Sequence, residues 1–271
     1  MKKLKNPGTV LLSFDIEEFD TPLEYGKKLS WQEQINISRE GTQKILDLLL
    51  RYNTKATFYS TVSFAGEVPD LIQRIMNEGH ELASHGLEHS AFRVEHLAES
   101  KQQLEALSGR LIRGYRMARM LPVDEKEVMK AGYLYNSSLN PTFLPGRYNN
   151  FRKPRTVFYQ DGIWQFPASV STFLRIPLFW LSFHNLPFSL YQLLCKKALR
   201  KDRYLHIYFH PWEFCDISDR HRFGLPLYIS KNSGDEGIRR LGKLISWLKI
   251  EQKADFLTTS EFLLDKINAE E

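Results

Sequence analysis

Residues 10–20 read Val-Leu-Leu-Ser-Phe-Asp-Ile-Glu-Glu-Phe-Asp, an apolar, β-favouring run that ends in four carboxylates within six residues. A short apolar run bounded by such a change of character reads as a buried strand. Carboxylates crowded at the end of a buried strand are costly unless a cation, a proton or solvent absorbs their charge. In an extended chain Asp15 and Glu17 project to the same side. Two acids side by side at a strand end suit metal binding, or a division into a base and a ligand. A strand running into a solvated acidic loop would look the same, so the other strand ends must decide.

Downstream the pattern alternates. Residues 21–30 are polar, contain Gly and Pro, and read as a loop. Ile35, Ile45, Leu46, Leu48, Leu49 and Leu50 recur at helical spacing across 31–52. Residues 54–59 form a second strand. Pro69 opens a helix in the favoured first-turn position, with Leu71, Ile72, Ile75 and Met76 as its buried face and Gly79 as its end. Residues 80–84 make a third strand. Further helices are predicted over 95–109, 122–131, 237–250 and 259–267, the last capped by Thr258 or Thr259. Further strands fall at 111–116, 132–135, 205–210 and 255–257. Gln160-Asp161-Gly162 joins residues 157–159 to 163–166 as a hairpin. Residues 140–155 and 219–233 read as loops, the first long enough to be functional. This strand–helix rhythm argues for an α/β fold, a parallel sheet or barrel whose site gathers at the C-terminal strand ends.

Those strand ends carry chemistry. After the third strand stands Ser84-His85-Gly86-Leu87-Glu88-His89-Ser90, in which His85 and His89 share one face if the segment turns helically. Imidazoles at this spacing can converge on one zinc-like ion. His80 and His96 lie outside the spacing and read as structural. Arg116 ends the strand at 111–116 and can hold a carboxylate bidentately, keeping it ionised. Alternation along 205–210 sets His206 and His210 on one side, with only His210 at the rim.

Composition narrows the class. With 271 residues, 42% hydrophobic and 25% charged, the chain is an ordinary soluble globular protein. The net charge of +5 and pI near 9.0 suit an anionic substrate or membrane surface without demanding one. The basic residues look dispersed and no nucleic-acid-binding signature occurs, so nucleic acid is not expected as a partner. Two cysteines, Cys195 and Cys215, suit free thiols in a reducing compartment. Residues 1–7 are basic but lack the apolar core of a signal peptide, and no run is long and apolar enough to span a membrane. The expectation is a cytoplasmic protein. Residues 171–203 are the most apolar part, followed by Lys196, Lys197, Arg200, Lys201 and Arg203. Such a combination can mark a membrane-surface element, although Pro177 and Pro187 break it into pieces suited to packing on the barrel. Peripheral contact with the inner membrane face is therefore kept as an expectation.

The ordered set Asp15/Glu17, His85/His89, Arg116 and His210 resembles the polysaccharide deacetylase family, the NodB-like members of carbohydrate esterase family 4. Ser-Phe-Asp-Ile-Glu-Glu looks like its first motif, in the variant with one residue between the acids. Ser-His-Gly-Leu-Glu-His-Ser looks like its metal motif, and Arg-Gly-Tyr-Arg-Met-Ala like its arginine motif. Tyr-Phe-His-Pro-Trp-Glu is similar to the closing motif of an exopolysaccharide-associated branch. The resemblance covers a core of about residues 10–264. It implies a single domain over 1–271, an incomplete (distorted) (β/α) barrel, and metal-dependent removal of an N-acetyl or related acyl group from an amino sugar. The substrate would be a glycan, or a lipid- or nucleotide-linked precursor.

Carried over by resemblance, Asp15 is the general base, Arg116 orients it, and His210 protonates the leaving amine. Glu17, His85 and His89 hold one divalent ion, zinc first, with nickel, cobalt or iron as alternatives. Tyr115 and Trp212, beside two of the motifs, are expected to contact substrate. Two positions depart from the family pattern. Glu17 stands where Asp is commoner, and Ala118 stands where Pro is usual, which loosens that turn. The roles of Asp15 and Glu17 could be exchanged, or Glu18 could be the ligand. A metal-free allantoinase-like or deformylase-like amide hydrolase, or a catalytically dead glycan-binding protein, are the alternatives.

Overall fold

A computed structural model describes residues 8–146 and 148–270. The basic stretch 1–7 lies outside the described residues. In chain order the elements are β1 (Thr9–Ile16), α1 (Thr21–Glu24), α2 (Trp31–Arg51), β2 (Thr57–Ser60), α3 (Val62–Glu67), α4 (Pro69–Asn77), β3 (Glu81–Ser84), α5 (His96–Ser108), β4 (Gly114–Tyr115), α6 (Glu125–Lys130), β5 (Tyr135–Asn136), β6 (Phe143–Leu144), β7 (Tyr148–Asn149), β8 (Phe158–Gln160), β9 (Ile163–Gln165), α7 (Trp180–Asn185), α8 (Phe188–Asp202), β10 (Tyr204–Phe209), α9 (Arg220–Phe223), α10 (Leu227–Ser230), α11 (Asp235–Ile250), β11 (Asp255–Phe256) and α12 (Thr259–Glu270).

Local chemistry sets several boundaries. Ser30 and Glu33 form a reciprocal capping box that starts α2. Gly109, at φ 66°, ends α5 in the left-handed conformation. Thr258 Oγ1 accepts from the Glu261 N–H at the start of α12, which decides between the two candidate caps. Three segments expected as loops carry short elements: α1 within 21–30, the β6–β7 hairpin within 140–155, and α9 and α10 within 219–233. All are four residues or fewer per element, too short to show a period.

The main sheet runs β10-β1-β2-β3-β4-β5-β9-β8, with β11 added on β1. All pairs are parallel except the β8–β9 hairpin. Between β9 and β10 an irregular strand takes over: Ala168 N–H donates to the Leu139 carbonyl, and Ser169 N–H to the His206 carbonyl, both at 2.8 Å. The result is the incomplete (β/α) barrel expected, a curled sheet clothed by helices.

Alternation sorts the strands into two environments. Val10, Leu12, Phe14 and Ile16 on β1, with Leu205, Ile207 and Phe209 on β10, join the core beneath the helices. The opposite set faces the barrel interior, where Leu11, Tyr59, Ala83, Tyr135, Phe166 and Tyr204 pack with Leu263 of α12. Above this layer the interior is polar. Arg116, with no exposed surface, donates from Nη1 to Asp15 Oδ1 at 2.5 Å. From Nη2 it reaches Ser13 Oγ (3.0 Å), Ser137 Oγ (2.9 Å) and His206 Nε2 (3.0 Å). Its guanidinium lies 3.9 Å from the centre of the Tyr59 ring. One cation thus ties β1, β2, β4 and β10 together.

His80 is structural, as expected. Its Nδ1 accepts from the Ala56 N–H and its ring sits edge-on to Phe58. Outside the barrel, α2 crosses the turn Pro211–Phe214 at Gly41, where a Cβ would stand 2.0 Å from the Pro211 carbonyl oxygen. Only glycine permits this approach, which seats the segment following β10.

Three stability predictions follow from these contacts. Gly41→Ala should cost about 1–3 kcal/mol through overpacking, read as a lower urea midpoint at unchanged slope; an unaltered midpoint would mean the α2 crossing is not this tight. Arg116→Met should cost about 3–5 kcal/mol by stranding the Asp15 charge, with most of the loss recovered in Arg116→Met/Asp15→Leu. An equal loss in the single and double variants would show that the ion pair is not what Arg116 satisfies. Burial pushes the His80 imidazole down to about 4 from 6.5, so the unfolded chain takes up that proton first. The stability tied to a neutral His80 is complete above pH 6.5 and drains as pH falls toward 4. His80→Gln should flatten the fall of unfolding free energy across that window.

Candidate active site

The candidate residues gather at and past the C-terminal ends of strands: Asp15 on β1 and Glu17 just after it, His85 after β3 with His89 in the loop that follows, Arg116 after β4 and His210 after β10. The parallel register Asp15↔Tyr59 and Ser84↔Tyr115 keeps these ends level. The barrel therefore gathers onto one rim residues that lie up to 195 positions apart.

The two histidines converge without a helix, because residues 85–90 form an irregular loop. Their orientation comes instead from hydrogen bonds. His85 Nδ1 lies 2.9 Å from the Arg116 carbonyl oxygen; a carbonyl only accepts, so Nδ1 carries the proton and Nε2 presents a lone pair. His89 Nδ1 is 2.8 Å from Asp20 Oδ1, which selects the same tautomer. Both free Nε2 atoms point at Glu17 Oε2, at 3.0 Å from His85 and 3.3 Å from His89. Glu17 Oε2 is buried and has no hydrogen-bond partner.

The electrostatics of these groups would suit a cation held among them. Burial pushes the Glu17 carboxyl up to about 8, against the pull of His89, while Asp15, Asp20 and Glu18 add to the rise. Burial would raise Asp15 as well, but the Arg116 guanidinium, with His85 and His210, holds it below its ordinary value. Glu17, His85 and His89 offer ligand atoms within 4.8 Å of one another. One carboxylate oxygen and two imidazole nitrogens, with an orphaned buried oxygen among them, are a donor set suited to a zinc-like divalent ion.

Glu18 is not free to be the ligand. Its Oε2 accepts from Thr61 Oγ1 and its Oε1 from the His89 N–H, each at 2.8 Å. It anchors the histidine loop instead. Asp20, which takes His89 Nδ1, also accepts from Ser90 Oγ. The acidic run therefore divides into one carboxylate held by Arg116, one among the histidines and two that position the histidine loop.

His210 stands across the cleft, its side chain 13% exposed, with Nε2 3.9 Å from Asp15 Oδ2. Its backbone N–H and Nδ1 both reach Glu213 Oε1, at 2.7 and 2.8 Å. Glu213 Oε2 lies 2.8 Å from His184 Nε2. Burial lowers His210 to about 3, more than Asp15 raises it. Asp20, Glu213 and His184 escape the sequence reading. The first two had a signal, since Asp20 closes the acidic run and Glu213 lies three residues past His210. Nothing local marks His184.

The cleft has a volume of about 280 Å³ and is lined by Asp15, Glu17, His89, His210, Asn140 and Trp212 among others. Trp212 stacks on His210 at 4.9 Å between ring centres, and Trp180 meets His210 edge-on. Besides Glu17 Oε2, three lining side chains hold a buried polar atom without a hydrogen-bond partner: Arg119 Nε, Asn140 Oδ1 and Trp212 Nε1. Tyr115 corrects its expectation. Strand alternation sends it opposite to Arg116, away from this cleft, where it packs on Tyr133 and donates to Met117 Sδ. The turn at Ala118 is closed by bonds from Met120 N–H to the Met117 carbonyl and from Leu121 N–H to the Ala118 carbonyl.

Residues 2–117 match the polysaccharide deacetylase family model. Among curated proteins, a peptidoglycan-N-acetylglucosamine deacetylase of Bacillus cereus is 44% identical over 50 residues, 18% of each chain. A chitooligosaccharide deacetylase of Bradyrhizobium is 38% identical over 48 residues, 18% of this chain and 22% of that one. The curated relatives are matched over only about a quarter of their length or less. A solved structure assigned as a polysaccharide deacetylase from Mycobacterium smegmatis superposes with TM-score 0.69 at 17% identity, covering 100% of this chain and 93% of that one. The PuuE allantoinase superposes with TM-score 0.64 at 16% identity, covering 96% and 90%. At such identities the superpositions speak for the fold. The comparisons thus tie residues 2–117 to the polysaccharide deacetylase family model and the chain as a whole to the fold of those structures.

Proposed function

We propose that the protein hydrolyses an N-acetyl or related acyl group on an amino sugar, within a glycan or a lipid- or nucleotide-linked precursor of the exopolysaccharide type. The convergence of Glu17, His85 and His89 beside Asp15 carries this reading. A divalent ion held by those three residues, zinc foremost, would supply Lewis acidity toward a water and the acyl oxygen.

The chain's own groups do the rest. Asp15, its Oδ1 occupied by Arg116, offers Oδ2 toward the cleft as the base that takes the proton of the attacking water. Arg116 keeps that carboxylate ionised and fixes its direction. His210, neutral at rest and held by Glu213 through Nδ1, presents Nε2 toward Asp15 and the leaving nitrogen. The proton taken by Asp15 returns through it, because an amine leaves poorly unless protonated. Trp180 and Trp212 give the sugar ring an aromatic wall, and Asn140 Oδ1 can accept from a hydroxyl or amide N–H. A cytoplasmic setting accords with Cys195 and Cys215, both free and buried. Among the described residues no helix is long and apolar enough to cross a membrane.

The test pairs elemental analysis with turnover. Wild type should carry about one equivalent of metal, lost in His85→Ala/His89→Ala, and should release acetate from N-acetylated amino-sugar oligomers. Asp15→Asn should keep the metal and lose about 10²–10⁴-fold in turnover. Metal-free wild type that still hydrolyses amides would favour the allantoinase-like alternative. Glycan binding indifferent to Asp15→Asn, without turnover, would favour a binding protein.

A further inference from the structure

The basic residues are less evenly spread than they look. Residues 128–201 hold ten lysines and arginines and a single acid, Asp161. The rest of the chain must therefore be net acidic, since the whole carries only +5. The same segment displays exposed apolar side chains: Phe173 at 87%, Leu174 at 64%, Phe143 at 54% and Phe151 at 46%.

Hydrogen bonds join these groups into one surface. Residues 171–176 form a tight turn, closed by Ser171 N–H on the Ile176 carbonyl, with Phe173 and Leu174 at its tip. Arg175 pins the turn to the β6–β7 region, donating to the Pro141 and Lys153 carbonyls, with its guanidinium 5.3 Å from the Phe151 ring centre. Arg155 ties it to the end of α8, donating to the Thr172 carbonyl and pairing with Asp202. Along α8, Leu190, Leu193, Lys197 and Arg200 are exposed at helical spacing, apolar first and basic after. Among the described residues, Arg152, Lys153, Lys197, Arg200 and Lys201 make no ion pair. The hairpin beside Phe143 also supplies Leu144, Pro145 and Tyr148 to the cleft wall, so the surface borders the cleft.

We propose that this surface docks on an anionic lipid bilayer. The tip of 171–176 and the neighbouring phenylalanines enter the interface, and the unpaired cations lie over the headgroups. A bilayer fits better than a polyanion in solution because the most exposed groups are apolar. Aromatic or aliphatic side chains rimmed by lysine and arginine are the pattern of an interfacial anchor. The proposal concerns the surface alone and stands whether or not the hydrolase reading does.

Vesicle flotation tests it. Wild type should float with phosphatidylglycerol/phosphatidylcholine vesicles and stay soluble with phosphatidylcholine alone. Phe173→Ser/Leu174→Ser and Lys197→Glu/Arg200→Glu/Lys201→Glu should each lose at least tenfold in partitioning, with unchanged thermal midpoints. Phe173→Trp should show blue-shifted emission on anionic vesicles. Wild type left wholly in the soluble fraction overturns the proposal. So does flotation that the Phe173/Leu174 variant retains in full while heparin binds equally well, which would mark a plain polyanion patch.

Discussion

The buried pair of Arg116 and Asp15 is the constraint on which the rest of this structure depends. A guanidinium with no exposed surface cannot be left without partners in a protein interior. Here it receives them from Asp15 and Ser13 on β1, from Ser137 just past β5, and from His206 on the far strand β10. Those bonds draw the curled sheet together above its apolar floor. They also leave Asp15 ionised in a place where burial would otherwise neutralise it. Fold and site thus share one interaction.

A second layer of carboxylates extends the same logic. Glu18 and Asp20 hold the His89 loop, and Glu213 holds His210. Each imidazole at the rim donates its Nδ1 proton to a fixed acceptor and turns Nε2 to the cleft. The chain's own hydrogen bonds therefore set the directions of the rim imidazoles, and Glu17 Oε2 stands between two of them as an acceptor without a hydrogen-bond donor. The aromatic wall of Trp180 and Trp212 stiffens His210 from the other side.

The outer surface tells a separate story. The acid-poor segment of residues 128–201 builds one side of the cleft mouth and turns several phenylalanines and leucines outward. Pro177 and Pro187 do break the apolar stretch, and much of it packs inward, as Phe183 and Tyr191 show with no exposed surface. The residues left outside are those whose backbone lies in the turn 171–176 and on the solvent face of α8.

Much of this was legible in the chain itself. The apolar run ending in acids, the His-x-x-x-His spacing and the strand–helix rhythm each carry a local physical signature, and they pointed to Asp15, Glu17, His85, His89, Arg116 and His210 at the strand ends of a parallel α/β sheet or barrel. Short elements such as α1 and β6 left none, because two to four residues cannot display a period. Tyr115 misled because adjacency in sequence is not adjacency in a strand, where successive side chains face opposite ways. What only the tertiary structure decided is the division of labour among neighbouring acids. Asp15, Glu17, Glu18 and Asp20 are chemically near-identical, and it is the partners brought in from distant strands and loops that make one an ion-paired carboxylate, one an orphan and two anchors.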